Sequence, residues 1–132
     1  MNKEILKSIL NSINTIALVG ASSNPQRDSY KVMKYLIEKG YKVFPINPNE
    51  KGNKILGRKC YTNLEEIKHK IDMVDIFRSK EYVLDITLNA IKLGVDLIWT
   101  QEGVIDKKSL NLAKEAGITF VMNECPKKIL EN

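Results

Sequence analysis

One arrangement occurs three times in this sequence and limits the folds available to it: an amphipathic segment ends in a glycine and runs at once into an apolar segment. The three copies are "YLIEKGYKVFPIN" (35–47), "AIKLGVDLIWT" (90–100) and "AKEAGITFVMN" (113–123). Glycine readily takes the left-handed conformation that closes a helix, so these glycines mark helix ends. The Val-, Ile- and Phe-rich segments that follow predict strands buried on both faces, as in a parallel sheet covered by helices.

Helices and strands are predicted to alternate along the whole chain. The sequence predicts helices at 3–12, 29–39, 63–70, 80–93 and 106–116, and strands at 15–20, 42–46, 72–77, 95–100 and 118–122. This alternation indicates right-handed βαβ crossovers in one doubly wound α/β sheet. Because the chain has 132 residues and no proline-rich linker, we expect a single domain over residues 1–132. Small molecules bind such sheets beyond the carboxyl ends of the strands, here the loops 20–29, 46–54, 77–80 and 99–106.

Charge and composition narrow the partners of the chain. Its 21 basic and 16 acidic residues give a net charge of +5, with lysines scattered through every predicted helix. This pattern favours a solvated basic surface or an anionic small ligand over a nucleic-acid partner. No apolar run approaches the ~20 residues of a membrane span, and the charged first ten residues are unlike a signal peptide, so we expect a cytoplasmic protein without a membrane partner. Cys60, Cys125 and the single His69 lack metal-ligand spacing, so no metal site is expected.

The first loop, in "TIALVGASSNPQRDSY", begins as a nucleotide-binding turn but matches the fingerprint G-x-G-x-x-G only at Gly20. Ala21 and Ser22 are small enough to let a ligand approach the backbone. Ser29 is placed to cap the next helix, whose N-terminus favours phosphate. Arg27 adds a guanidinium fork that suits phosphate oxygens. The loop therefore predicts a phosphate cradle, and the alternative is a polar turn that only caps the helix.

The second loop argues against NAD as the ligand. NAD-binding sheets generally place Asp or Glu at the end of the second strand to hold the ribose, whereas this strand ends in Asn47 and Pro48. Cations follow at Lys51, Lys54 and Arg58. A ligand with an additional phosphate, such as coenzyme A (CoA) or NADP, fits this pattern better. Alternatively, Asn47-Pro48 is simply a turn.

Aromatic side chains follow the third and fourth strands. Phe77 and Arg78 place an aromatic face beside a guanidinium, which can hold a purine or an anionic group. Alternatively, Phe77 is the last core residue of the strand and Arg78 lies at the rim. After the fourth strand come Trp99, Gln101 and Gly103, and we expect the only tryptophan of the chain to form a pocket wall in preference to deep core.

Together these segments resemble the small stand-alone CoA-binding domain proteins of bacteria, which are related to the amino-terminal CoA-binding domain of the succinyl-CoA synthetase α subunit. The matching pieces span residues 13–127 and are "ALVGASSNPQRDSYKV", "VFPINPNEKGNKILGRKCYTNLEEI", "VDIFRSKEYV", "IWTQEGV" and "VMNECP". The resemblance implies a Rossmann-like five-stranded parallel sheet of order 3-2-1-4-5 in three layers. The family ending that normally contains arginine, cysteine and proline is "NECP" here, with Glu124 in the place of a basic residue.

The resemblance also implies which residues surround the cofactor, coenzyme A, free or acylated. Those at the pyrophosphate would be Gly20, Ala21, Ser22, Arg27, Ser29 and Tyr30. Those flanking the nucleotide would be Asn47 and Pro48. Those bordering the cofactor along the third strand would be Phe77 and Arg78. Those lining the path of the pantetheine arm would be Trp99, Gln101 and Gly103.

The sequence contains no arrangement of nucleophile, base and orienting group, so no catalytic residue is predicted. His69 lies on a polar helix face, and Asp72 and Asp75 are expected at a strand start, at the edge distant from the ligand. We therefore expect a non-catalytic carrier, sensor or partner module that binds CoA or an acyl-CoA. An NADP-linked oxidoreductase and a ligand-sensing regulator that docks on a larger protein are the alternatives. The helix at 3–12 can pack on the domain or on a second copy, so a homodimer or a protein partner is left open.

Overall fold

A computed structural model of the chain describes residues 1–131. The strands are β1 (Thr15–Val19), β2 (Lys42–Ile46), β3 (Lys54–Ile55), β4 (Arg58–Lys59), β5 (Met73–Ile76), β6 (Leu97–Thr100) and β7 (Thr119–Val121). The α-helices are α1 (Lys3–Asn11), α2 (Asp28–Glu38), α3 (Lys80–Leu93), α4 (Lys107–Glu115) and α5 (Pro126–Leu130). Two short 3-10 helices cover Pro48–Glu50 and Leu64–Glu66. The order of elements confirms the predicted alternation of strands and helices.

The five longer strands form one parallel sheet in the order β2-β1-β5-β6-β7. A parallel bridge between Ile46 and Tyr61 extends the sheet beyond β2 by one residue. If Tyr61 is counted as a rudimentary third strand, the order begins 3-2-1-4-5 and β7 follows as a sixth position. The predicted Rossmann-like doubly wound fold is therefore confirmed, with its third strand reduced to a single bridge. The two-residue strands β3 and β4 form a separate antiparallel hairpin.

Helices cover both faces of the sheet, which gives the three predicted layers. Leu18 and Trp99 face α1, α2 and α5 and form one buried cluster with Met33 of α2. Val74 and Ile98 belong to the second cluster, on the face covered by α3 and α4. Because successive side chains of a strand point to opposite faces, apolar residues at every position bury both sides of the sheet.

The structure differs from the predicted elements at three places. The helix expected at 63–70 is only the 3-10 turn Leu64–Glu66, closed by reciprocal bonds between Asn63 and Glu66, and the backbone is already extended at Ile67. The β3–β4 hairpin and α5 were not predicted, because elements of two and five residues are too short to show periodicity.

The three glycines expected at helix ends do have positive φ angles. Among residues 1–131, no helix combines the length and the apolar character that a membrane crossing requires.

Candidate ligand-binding site

The direction of winding reverses between β1 and β5, which is where a doubly wound sheet binds ligands. Gly20 follows β1 and Phe77 follows β5, so both residues lie at this point. The N–H groups of Gly20 and Ala21 donate to the carbonyl of Ile46, at 2.9 and 3.1 Å, and the Phe77 N–H donates to the carbonyl of Val19 at 2.7 Å. A Cβ atom on Gly20 would lie 2.2 Å from the Phe77 carbonyl oxygen. The two loops therefore approach each other so closely that only glycine fits at position 20.

The first loop surrounds a cleft of about 450 Å³, here called the loop cleft. It is lined by Gly20, Ala21, Ser22, Gln26, Arg27, Asp28, Ser29, Asn47 and Phe77. Seven residues predicted from the first three loops therefore line one cavity. Arg27 is exposed, and no hydrogen bond or ion pair of its guanidinium group is found within residues 1–131. The guanidinium is thus available to an anionic group in the cleft.

Helix α2 begins one residue earlier than predicted, and the expected cap is wrong. Its N-cap is Arg27, which makes no side-chain capping bond, while Ser29 is buried at the second helical position. The N–H groups of the first helical turn have no partner within a helix. Because no side chain caps this turn, these donors remain available at the edge of the loop cleft. The helix end also carries a partial positive charge, which favours anions.

The second loop holds the first loop in place. Asn47 donates from Nδ2 to the Ala21 carbonyl at 2.8 Å and accepts at Oδ1 from the Asn49 N–H at 2.9 Å. The Glu50 carboxylate accepts from both the N–H and the hydroxyl of Ser23, each at 2.8 Å. These Ser23 donors lower the pKa of Glu50. The Ser23 hydroxyl is therefore engaged within the protein.

A small apolar pocket of about 190 Å³ adjoins the loop cleft at Gly20, on the face covered by α3. Ile46, Pro48 and Leu64 line it from one side, and Arg78 and Tyr82 line it from the other. The Arg78 guanidinium lies over the Tyr82 ring, 4.0 Å from the ring centroid. A flat cation stacked on an aromatic ring offers a surface for another planar group. Pro48 and Arg78 therefore belong to this apolar pocket and not to the loop cleft.

A third cavity, the α2–α5 cleft, has a volume of about 300 Å³ and meets the loop cleft at Asp28 and Phe77. It is lined by Asp28, Lys31, Val32, Phe77, Gln101, Glu102, Cys125, Lys127, Lys128 and Glu131. The predicted site residue Gln101 lies in this wall, and its Nε2 donates to Oδ1 of Asp75 at 2.5 Å. The Glu102 carboxylate is bound to Lys128 at 2.7 Å. The apolar pocket, the loop cleft and the α2–α5 cleft thus form one bent path around Gly20 and Phe77.

Comparison with known proteins assigns the chain to a family. The family model described as "CoA binding domain" matches residues 14–131. The chain belongs to the CoA-binding domain family. This membership agrees with the resemblance drawn from the loop motifs. It supports a role connected with CoA for the three joined cavities.

Relatives of this CoA-binding domain include both short and long proteins. An uncharacterized protein from Bacillus subtilis, YneT, is 32% identical over 126 residues, which cover 96% of this chain and 92% of that protein. The α subunit of an ADP-forming acetate–CoA ligase II from Pyrococcus furiosus is 35% identical over 121 residues, or 83% of this chain and 26% of that subunit. A hypothetical protein from Pyrococcus horikoshii has a solved structure with a TM-score of 0.93 and 39% identity, covering 99% of this chain and 91% of that one.

Two residues predicted for the arm of the cofactor are placed differently by the structure of this CoA-binding domain. The prediction that Trp99 forms a pocket wall is wrong, because its side chain is fully buried and its Nε1 donates to the carbonyl of Glu124 at 2.8 Å. Gly103 is exposed at the turn after β6, and its N–H donates to Oδ1 of Asn123 at 2.7 Å, outside the three cavities. Tyr30 is half-buried, packs against the core and does not line the loop cleft.

Asp75 was expected at the edge distant from the ligand, and that expectation is wrong. It is the third residue of β5, it is fully buried, and it lies behind Gln101. Burial raises the pKa of Asp75 to about 8, and the hydrogen bond from Gln101 acts in the opposite direction. A single aspartate inside the apolar run "MVDIF" was the signal in the sequence that identifies this residue as special.

The sequence also did not identify the lysines and the cysteine of the α2–α5 cleft. Lys31 lies on α2, and Cys125 and Lys127 lie at the start of α5, which was not predicted.

Both cysteines of the chain are free thiols, and burial raises the pKa of Cys60. Within residues 1–131, no three His, Cys, Asp or Glu side chains are grouped as a metal site would need.

Proposed function

We propose that this chain binds coenzyme A or an acyl-CoA across the three joined cavities and acts as a non-catalytic carrier, sensor or partner module. The observation that carries the proposal is the shape of the site. The apolar pocket, the loop cleft and the α2–α5 cleft meet in that order around Gly20 and Phe77. Coenzyme A has the matching order of parts: a purine, a diphosphate and a flexible arm that contains amide groups.

The diphosphate is assigned to the loop cleft. The free amides at the start of α2 and the Arg27 guanidinium supply the donors there. Gly20 lets the two loops around the cleft approach each other because it carries no side chain. Asn47 supports the arrangement by its bond to the Ala21 carbonyl. The purine is assigned to the apolar pocket beside Pro48 and Arg78, and the arm to the α2–α5 cleft.

The absence of catalysis is part of the proposal, and two contacts support it. Glu102, one of the three carboxylates that line the α2–α5 cleft, is bound to Lys128. His69, the only histidine, is exposed and stacked on Phe44 in the middle of β2, with ring centroids 5.2 Å apart, and it lines none of the three cavities. A CoA-binding chain whose only histidine lies outside the three cavities fits a carrier, a sensor or a module that works with a second protein.

The ADP-forming ligase relatives suggest one form such a partnership could take. This chain spans 26% of the Pyrococcus furiosus α subunit, so most of that subunit has no counterpart here. We propose a binding role for the shared part only. Two free cysteines agree with a reducing compartment, so the cytoplasm is proposed as the location.

Calorimetric titration with CoA, acetyl-CoA, NAD and NADP tests the proposal. We expect heat of binding with CoA or acetyl-CoA and none with NAD. Binding of NADP without binding of CoA would overturn the proposal in favour of an oxidoreductase. Mass spectrometry of the protein purified under non-denaturing conditions would identify a retained ligand by its mass and would also give the number of copies in the assembly.

Replacement of Arg27 tests the assigned phosphate contact. Arg27→Ala should weaken CoA binding by roughly 1.5–3 kcal/mol, because a charge-assisted hydrogen bond to phosphate is lost. Lys34→Ala is the control, since it removes a positive charge from an exposed position on the same helix outside the three cavities. Calorimetry should show a large loss for the first variant and little change for the second. Equal affinities of both variants would contradict the assignment.

A further inference from the structure

Asp75 and Gln101 form a polar pair on the face of the sheet that supports the clefts. In the sheet register, Asp75 lies beside Leu18 on β1 and beside Trp99 on β6. Side chains alternate along a strand, so Asp75 points to the same face as Phe77, which lines both the loop cleft and the α2–α5 cleft. Gln101 comes two residues after Trp99 and reaches back to Asp75. The pair therefore connects the buried sheet with the wall of the α2–α5 cleft.

The environment of Asp75 is unusual for a carboxyl group. The side chain is fully buried, its Oδ1 accepts from Gln101, and its Oδ2 has no hydrogen-bond partner within residues 1–131. A buried polar atom without a partner costs about 1–3 kcal/mol. Burial raises the pKa of this carboxyl to about 8, so it is neutral at pH 7. Burying a neutral carboxyl with one unpaired oxygen lowers the stability of the protein. A role in packing alone does not explain why this residue is there.

The bond to Asp75 determines which atom of Gln101 the cleft can use. A glutamine amide has an NH₂ group that donates and a carbonyl oxygen that accepts. Asp75 holds the NH₂ group, and no donor within residues 1–131 binds the carbonyl oxygen Oε1. The Oε1 atom of Gln101 is thus available as a hydrogen-bond acceptor in the α2–α5 cleft. Of the other side chains that line it, Lys31, Lys127 and Lys128 supply donors only, and Asp28, Glu102 and Glu131 supply charged acceptors. Gln101 therefore supplies the one side-chain amide oxygen among the lining residues.

We propose that Asp75 is a positioning residue for ligand binding: it fixes the Gln101 amide so that Oε1 accepts a hydrogen bond from an amide N–H in the arm of the ligand. This inference rests on the proposed function and specifies it. The site selects an arm that carries amide N–H donors, and Asp75 contributes without touching the ligand. The nucleotide end of the ligand lies in the other two cavities and does not depend on Asp75.

Two probes separate this inference from the proposed function. CoA carries both the nucleotide and the amide-containing arm, whereas adenosine 3′,5′-bisphosphate carries the nucleotide without the arm. Calorimetry with the full chain gives both affinities for each variant. If wild-type protein binds neither probe, the proposed function and this inference both fail. If it binds both probes, the variants test the inference alone.

Asp75→Ala should weaken CoA binding roughly fivefold to tenfold, which is the value of one hydrogen bond, and leave the affinity for adenosine 3′,5′-bisphosphate unchanged. Gln101→Ala should have the same selective effect. In the double variant the two losses should not add, because Asp75 acts through Gln101. Asp75→Asn, which still offers an oxygen to Gln101, should recover most of the CoA affinity that Asp75→Ala loses.

Thr87→Val is the matched control. Thr87 on α3 is also fully buried, and its hydroxyl also has no partner within residues 1–131, but it lies in the layer that does not line the α2–α5 cleft. This variant should change neither affinity. Loss of both ligands in Asp75→Ala, no loss of either, or additive losses in the double variant would overturn the inference.

Nuclear magnetic resonance supplies a second test that holds even if Asp75→Ala does not fold. In the wild-type protein, CoA should shift the side-chain amide resonances of Gln101, and adenosine 3′,5′-bisphosphate should leave them in place. Equal shifts with both ligands, or no shift with CoA, would overturn the inference.

Discussion

Gly20 combines a backbone conformation and a contact that other residues do not tolerate. Its φ angle is +91°, which L-amino acids with a side chain rarely adopt. The Cβ atom of any other residue would lie 2.2 Å from the Phe77 carbonyl oxygen, and that oxygen belongs to the backbone and cannot rotate away. One missing side chain therefore permits the approach of the two loops that form the site.

Gly20→Ala should destabilise the protein by roughly 2 kcal/mol or more, because conformational strain and a backbone collision add. Urea unfolding followed by circular dichroism measures this change. Gly52→Ala is the control: its φ angle is +83°, and nothing lies within 4 Å of the position that a Cβ atom would take there, so strain alone should cost about 1 kcal/mol. Equal losses in the two variants would show that the contact with Phe77 is unimportant.

Asp75 gives the stability of the protein a pH dependence of known sign. Its folded-state pKa of about 8 lies above the ordinary value of 3.8, so in this interval the unfolded chain releases the proton while the folded protein keeps it. Stability must then fall as the pH rises from about 4 to about 8, and it levels off above that. For each unit of pH, the free energy of unfolding changes by at most about 1.4 kcal/mol.

Asp75→Asn removes this titration. The free energy of unfolding of the wild-type protein should fall relative to that of the variant between pH 5 and pH 7, and again between pH 7 and pH 8. Denaturant titrations at these pH values measure the difference, in which the other titrating groups cancel. Parallel pH profiles of the two proteins would contradict the pKa shift.

At the scale of elements, a buried hydrogen bond connects the segment before α5 to the core. The indole N–H of Trp99 donates to the carbonyl of Glu124, immediately before Cys125 and the helix. Helix α5 contributes Lys127 and Lys128 to the α2–α5 cleft. A tryptophan predicted to contact the ligand thus stabilises, from inside the core, the helix that completes the cleft.

Trp99→Phe should therefore loosen α5 more than the rest of the protein. We expect a loss of roughly 1–3 kcal/mol, because the Glu124 carbonyl loses its donor and a cavity remains. Hydrogen exchange should accelerate at Ile129, whose N–H bonds within this helix. Phe120→Leu, a comparable reduction in the opposite core layer, should lower stability without a specific effect on α5. Uniform acceleration in both variants would contradict the role of Trp99.

The sequence predicts the elements that have long periodic patterns and misses those that do not. The five strands of the sheet and the helices α1 to α4 have enough residues to show their period, and glycines mark the ends of α2, α3 and α4. The hairpin β3–β4 and α5 do not, and the Tyr61 bridge is a single residue. Tertiary contacts determine such short pieces, and no local pattern indicates them.

The same difference divides the site. Gly20, Arg27 and Asn47 were predictable because loops after parallel strands meet at one edge of the sheet. The complete burial of Trp99 and of Asp75 was not predictable, because it depends on which helix covers each face of the sheet. Prediction from the sequence thus reached the loop cleft, but in the α2–α5 cleft it identified only Phe77 and Gln101, because one wall of that cleft is an unpredicted helix.

At the scale of the whole molecule, the net charge of +5 acts on any anionic ligand. Lys31 and Lys127 lie in the α2–α5 cleft, Arg27 in the loop cleft and Arg78 in the apolar pocket, so positively charged side chains line all three cavities. Long-range attraction of this kind is screened by salt, with a Debye length of about 10 Å at 0.1 M ionic strength.

CoA affinity should therefore decrease as the ionic strength rises from about 0.05 to about 0.5 M, by roughly tenfold. Calorimetric titrations at four salt concentrations give the slope. The Arg27→Ala variant should show a shallower slope, because it lacks one of the charges involved. A salt-independent affinity would mean that apolar contacts dominate binding and that the assigned phosphate contact is minor.

The contact between Gly20 and Phe77 divides the path between the two sides of the sheet, with the apolar pocket on one side and the two clefts on the other. A molecule that fills the whole path must turn a corner at its midpoint. Stiff, elongated compounds can occupy one half only, however well their chemistry suits each end. Screening for inhibitors should for this reason favour two fragments joined by a short flexible linker over a single fused ring system.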